Sequence, residues 1–184
     1  MSKRVQIVLL CEDRQHEVFA RRFLKYVGWS GQQYIVMATP GKGSAEAFVR
    51  EHFPEELKAY RANLGKVDQA LLVVVDGDAR GVQARLAQLE EACRDAGISP
   101  RARKERVAVF VPTRRIETWL AYLDGNSVDE KQQDYPRLDR ESDCQKHVEE
   151  LATMCRAGQL RKPTPHSLVA ACEEYNTRFA DPSA

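Results

Sequence analysis

The chain has 184 residues, 43% hydrophobic and 30% charged, which suits one domain with a substantial core and excludes collagenous, disulfide-scaffold and largely disordered classes. Lys and Arg total 28 against 27 Asp and Glu, a formal net charge of +1, so a globally basic nucleic-acid coat is excluded while a local basic patch is not. No apolar run approaches the ~18 residues of a membrane span, no signal-peptide cleavage pattern follows Met1-Ser-Lys-Arg4, and the five scattered cysteines form no Cys-x-x-Cys pair; together these predict a cytoplasmic chain with reduced thiols and no membrane partner.

Residues 5–10 are almost wholly apolar and predict a strand buried on both faces. From Asp13 the period changes: Phe19, Phe23, Tyr26 and Val27 form one helical stripe, closed by Gly28. A second strand is expected over 34–37, then a turn-rich loop Thr39-Pro-Gly-Lys-Gly-Ser44 whose last residue suits a helix cap. Pro54 is expected to interrupt that helix, with a resumption over 57–64. Residues 70–75 are the strongest strand and stop at Asp76-Gly-Asp78. Val82, Leu86, Leu89, Cys93 and Ala96 mark an amphipathic helix ended by Gly97, and residues 107–111 a fourth strand. Thr113 is the expected cap of a helix that buries Ile116, Trp119, Leu120 and Leu123. Residues 125–140 are polar and aperiodic, and two more helices are expected near 141–156 and 167–179, around Lys162-Pro-Thr-Pro165. The alternation predicts an α/β fold, a mostly parallel sheet with helices on both faces over residues 4–123, and a C-terminal helical extension over 124–184 packed on it.

Ligands of such sheets sit at the carboxyl ends of the strands. Cys11-Glu12-Asp13 follows the first strand, Asp76-Gly-Asp78 the third, and Pro112-Thr-Arg-Arg115 the fourth, with Glu117 in the next helical turn. Singly, each acid has a plainer reading as a helix cap, a turn residue or a complement to the helix dipole. In conjunction they crowd carboxylates on one edge, a repulsion that a hard divalent cation resolves, so Glu12, Asp76 and Asp78 are the candidate ligands for Mg²⁺ or Mn²⁺. Gly77 between the two aspartates is expected to let a ligand approach closely. Lys42, Arg80, Arg114 and Arg115 lie near the same edge and suit phosphate binding. The loop around Lys42 lacks the Gly-x-x-x-x-Gly-Lys spacing, which excludes a P-loop nucleotide hydrolase. Arg101-Ala-Arg-Lys-Glu-Arg106 reads as a solvated loop before it reads as a nucleic-acid track. Cys144 and His147 make one close pair, but Cys155 and His166 do not supply the second that a zinc site needs; Cys155 and Cys172 read as helix packing, and His16 as a surface helix residue within reach of the acids.

The order strand, Glu12, helix, then strand, Asp76-x-Asp78 resembles the Toprim domain, the metal-binding fold of topoisomerases, primases and nucleases of the overcoming-lysogenization-defect type. Leu9-Leu-Cys-Glu-Asp-Arg-Gln-His-Glu17 and Val111-Pro-Thr-Arg-Arg-Ile-Glu-Thr-Trp-Leu120 more specifically resemble the Toprim-like bacterial family called domain of unknown function 4276. The resemblance spans about residues 4–123 and implies a metal-dependent nuclease acting on DNA or RNA, of the kind found in mobile-element or phage-defence systems beside an ATPase partner. It implies that Glu12 binds metal and serves as general acid or base, that Asp76 and Asp78 hold Mg²⁺, and that Glu117 assists catalysis. Asp13 stands where Toprim proteins usually have Gly, adding a side chain that either crowds the site or supplies a ligand. Other readings are a non-catalytic Toprim-like module that binds nucleic acid or a partner, and a receiver-like signalling domain with Asp76 as phosphoacceptor. Against the receiver stand the long stretch from Asp13 to Asp76 and the lack of a Lys after a fifth strand; a dehalogenase-like phosphatase would carry its Asp-x-Asp on the first strand.

Overall fold

A computed structural model describes residues 5–30, 32–40 and 44–179. Four strands, β1 (Gln6–Cys11), β2 (Gln33–Ala38), β3 (Gln69–Val74) and β4 (Val107–Phe110), form one sheet in the order β2-β1-β3-β4. All neighbouring pairs are parallel, so the fold is the Rossmann-like α/β arrangement expected. Six α-helices are described: α1 (Arg14–Tyr26), α2 (Ala45–Ala62), α3 (Gly81–Asp95), α4 (Ile116–Leu123), α5 (Gln145–Ala157) and α6 (His166–Glu174). A 3-10 turn over Glu141–Cys144 leads into α5, and a π turn over Tyr175–Phe179 follows α6.

The strand side chains alternate between two cores. Ile7, Leu9, Leu72, Val74 and Phe110 face a core closed by α1, α4, α5 and α6. Leu10, Leu71, Val73, Val107 and Val109 face a second core covered by α2 and α3. Burial on both faces explains why β1, β3 and β4 read as continuous apolar runs, whereas β2 lies at the edge and is only half-buried. Val148, Leu151, Leu168 and Phe179 of the C-terminal segments belong to the first core.

Three expectations need correction, and one segment gains a role. Pro54 lies inside an unbroken α2, because Val49, Phe53, Leu57 and Tyr60 are all buried on one stripe whose packing outweighs the lost backbone bond. Thr113 does not cap α4; the helix starts after Arg115, with no side-chain cap. Cys155 and Cys172 are joined by a disulfide that ties α5 to α6, Cα–Cα 5.3 Å, so not all thiols are reduced; Cys11, Cys93 and Cys144 are free and buried. The aperiodic segment 125–140 serves the core: Glu130 accepts from the backbone N–H groups of His166 (2.8 Å) and Ser167 (3.1 Å), capping α6 from a distance. Among the described residues no helix is long and apolar enough to cross a membrane.

Candidate active site

β1 and β3 are neighbours, and the chain leaves β1 toward β2 on one side but β3 toward β4 on the other. The crevice outside their carboxyl ends is therefore the switch point of the sheet, where ligands of open α/β folds bind. Cys11 lies opposite Val74 in the ladder, so Glu12 follows directly beside the end of β3. There Glu12 Oε1 accepts the backbone N–H of Asp76 at 2.8 Å. Two carboxylates 64 residues apart in sequence thus share one crevice.

His16, one turn into α1, completes this group. It is fully buried, and its Nε2 lies 3.1 Å from Asp76 Oδ1. Burial disfavours the imidazolium, but the Asp76 charge and hydrogen bond, with Asp13 and Glu12 nearby, overcome that and raise His16 to about 9. Nε2 is then the donor and Asp76 Oδ1 the acceptor; Nδ1 has no partner among the described residues. Glu12 is raised too, which for a carboxylate disfavours the charged form. Burial, then the Asp76 charge, push it up to about 7, against the opposing His16 charge and the Asp76 N–H; Asp78 adds a smaller push.

Asp78 sits differently. Its Oδ2 accepts from Arg85 Nη2 at 2.8 Å, and its side chain is 60% exposed. Arg85 itself is buried: its Nε donates to the Asp76 carbonyl at 2.9 Å, and its Nη1 reaches Glu46 Oε1 at 2.6 Å. One guanidinium therefore fixes the Asp76-Gly-Asp78 loop to α2 and α3. Gly77 is crowded by protein rather than by a ligand. A Cβ there would lie 3.1 Å from the Pro112 carbonyl and 3.2 Å from Val111, and the Gly77 N–H donates to that carbonyl at 2.7 Å. Just beyond, Asp78 and Arg114 pair as an antiparallel bridge, with φ of 47° and 64°. Two adjacent non-glycine residues in the left-handed region, each costing roughly 1–3 kcal/mol, mark a strained loop pair of the kind found at functional sites.

The other expected residues lie as follows. Asp13 caps α1: its Oδ1 accepts the His16 N–H at 2.9 Å. Glu117 is nearly buried, and its ion pair is with Arg137 of segment 125–140, at 3.3 Å, rather than with Arg80 or Arg114. Arg80 and Arg115 are exposed, and Arg114 is half-buried with its N–H on the Asp78 carbonyl. Lys42 lies outside the described residues. Arg101 and Arg106, in the basic run, are paired with Glu174 and Asp68, as a structural loop requires.

No family model, no curated protein and no solved structure matches this chain. The chemistry has to be read from the crevice itself. Among the described residues no group of three or more His, Cys, Asp or Glu side chains is arranged to hold a metal ion. The donor set fits a divalent cation as a pair: Glu12 Oε2 and Asp76 Oδ2 accept no hydrogen bond among the described residues, while their partner oxygens are already engaged. Mg²⁺ is commonly held by one or two carboxylates, its other positions filled by water and substrate phosphate.

His16 and Arg85 were the residues that sequence reasoning undervalued, yet both leave a signal. His16, Phe19, Ala20 and Phe23 share one helical stripe, and so do Val82, Arg85, Leu89 and Cys93. A lone cation on an otherwise apolar stripe is buried and must have an acidic partner nearby.

Proposed function

We propose that the chain is a Mg²⁺- or Mn²⁺-dependent nuclease, Toprim-like as the sequence motifs imply, centred on the carboxylate pair Glu12 and Asp76. The observation that carries this reading is the convergence of the two acids at the sheet's switch point, with Glu12 raised to about 7. Glu12 and Asp76 are the residues that would hold the cation, which when bound would polarise a phosphodiester and stabilise the oxygen that attacks or leaves. His16 donates from Nε2 to Asp76 Oδ1 and fixes the orientation of that carboxylate, leaving its other oxygen free. Arg85 immobilises the backbone of the Asp76 loop. Glu12, raised to about 7, would give up its proton when the cation binds. Arg80, Arg114 and Arg115, which follow β3 and β4 in sequence, suit phosphate. An ATPase partner, implied by the resemblance, would supply the grip that a near-neutral chain of net charge +1 lacks.

The test is incubation of plasmid, linear DNA and RNA with the purified protein in Mg²⁺, Mn²⁺ or EDTA, beside Glu12→Gln. Cation-dependent cleavage by the parent and its loss in Glu12→Gln is expected. A folded protein that cuts no substrate under either cation, alone or with the proteins encoded beside it, overturns the proposal. A second reading, a non-catalytic binding module, draws on the engagement of Asp78 by Arg85 and of Asp76 by His16. It predicts nucleic-acid binding without cleavage and without need of a cation.

A further inference from the structure

The outward side of α1 carries a charged feature that the carboxylate pair does not use. Arg14, Arg21, Arg22 and Lys25, with Glu17 and Tyr34, line a groove of about 450 Å³ between α1 and the β2 edge of the sheet. Four cations face one carboxylate there, in a chain whose net charge is only +1. Three of the four are held in place. The buried Glu17 carboxylate bridges Arg14 Nη1 at 2.6 Å and Arg21 Nη1 at 3.2 Å. The Arg21 guanidinium lies 5.0 Å from the centre of the Tyr34 ring, and Arg22 Nη1 donates to Gln145 Oε1 at 3.0 Å. A solvated helix face carries mobile cations; this row is preorganised, which lowers the entropy lost when it meets an anionic polymer.

We propose that this groove binds the sugar–phosphate backbone of a polynucleotide and leads it to Glu12 and Asp76; the inference rests on the reading of that pair as a phosphodiester-cleaving centre. Arg14 is two residues from Glu12, so the row begins at the candidate site. From Arg14 to Lys25 the helix rises about 16 Å. At about 3.4 Å per phosphate along one strand of a duplex, that length spans about five phosphates. Arg14, Arg21 and Lys25 recur at i, i+7 and i+11, which keeps them on one side of the helix.

Binding of fluorescein-labelled 20-mers (duplex DNA, single-stranded DNA and single-stranded RNA) is measured by anisotropy in EDTA, from 25 to 200 mM salt. Arg21→Glu/Lys25→Glu is compared with Lys58→Glu/Arg94→Glu, which makes the same change in net charge on α2 and α3 across the sheet. The groove variant should bind at least tenfold more weakly, with a salt slope smaller by about 2, from about 0.9 per phosphate contact; the control should keep most of the affinity. Lys25→Glu alone, on an exposed side chain, serves if the double variant does not fold, and should still weaken binding severalfold. Equal weakening by groove and control variants, or no binding by the parent at 25 mM salt, overturns the groove. Groove-dependent binding without cleavage under any cation would remove the nuclease reading and leave the groove standing. Cleavage untouched by the groove variant would do the reverse.

Discussion

Glu12→Gln tests the site where its physics is simplest. The carboxyl group faces Asp76, Asp78 and His16, and it is held at about 7 against an ordinary value of 4.5. Each tenfold change in a protonation equilibrium is about 1.4 kcal/mol, so the ionised form of Glu12 carries a cost of roughly 3 kcal/mol in the folded state. Because the folded value is raised, the folded protein binds the proton more tightly than the unfolded chain does. Stability is greatest, as far as Glu12 is concerned, below about pH 4.5; it falls as pH rises to about 7 and stays reduced above. Gln cannot ionise, yet its Oε1 still accepts the Asp76 N–H. Urea unfolding followed by circular dichroism in EDTA should give matching stabilities for parent and variant near pH 4. At pH 8 the variant should be more stable by up to about 3 kcal/mol, or about 6–12 °C in Tm for a chain of this size. A difference that does not grow between pH 4 and pH 8, or a variant less stable at pH 8, refutes the account of Glu12 as a buried carboxylate under like-charge repulsion.

Three further substitutions address its neighbours. Asp76→Asn removes the charge that raises both Glu12 and His16, so NMR titration should show both values falling. In the parent, the His16 contribution to stability is present in full below about pH 6.5 and lost as pH rises through about 9; that dependence should disappear in the variant. Arg85→Met strips the partner from Asp78, Glu46 and the Asp76 carbonyl, and should destabilise by about 3 kcal/mol, read by chemical denaturation; an unchanged midpoint would show that this guanidinium holds nothing. Gly77→Ala sets a Cβ 3.1 Å from a backbone carbonyl that cannot rotate away, so thermal melting should report a loss of about 1–3 kcal/mol, and none if the Pro112 loop yields freely.

Most of the sheet was legible because burial on both faces of β1, β3 and β4 leaves an unmistakable trace. All four strands fall within one residue of the apolar runs that predict them, and of the acids at their ends Glu12 and Asp76 come together. What was not legible depends on contacts distant in sequence. A proline at position 54 argues locally for a break, and only the packed stripe of Val49, Phe53 and Leu57 shows that the helix runs on. Arg114, at φ 64°, turns the chain and delays α4 by two residues, a backbone event with no side-chain signature. Cys155 and Cys172 meet because α5 and α6 lie side by side, which spacing alone does not reveal. Within the site, the acids were named from their position after strands, but the division of labour among them was not. That Asp78 turns to Arg85 while Glu12 turns to Asp76 follows from where α3 sets a buried cation.

The two buried cations fix what a third can do. His16 answers Asp76, and Arg85 is shared between Asp78 and Glu46. Glu12 alone has no cationic side chain bonded to it among the described residues; its Oε1 has only the Asp76 amide. Its charge can be balanced in two ways, by a proton or by a divalent cation, which Glu12 and Asp76 would hold together. These exclude one another, so on the proposed reading cation binding displaces a proton below about pH 7 and weakens as the pH falls. His16 stays charged up to about 9, so it keeps its bond to Asp76 Oδ1 across the range in which Glu12 titrates. Titration calorimetry with Mg²⁺ in buffers of different ionisation enthalpy would therefore record nearly one proton released at pH 6 and little at pH 8.5. The absence of such a difference, in a protein that does bind the ion, would place the cation away from Glu12.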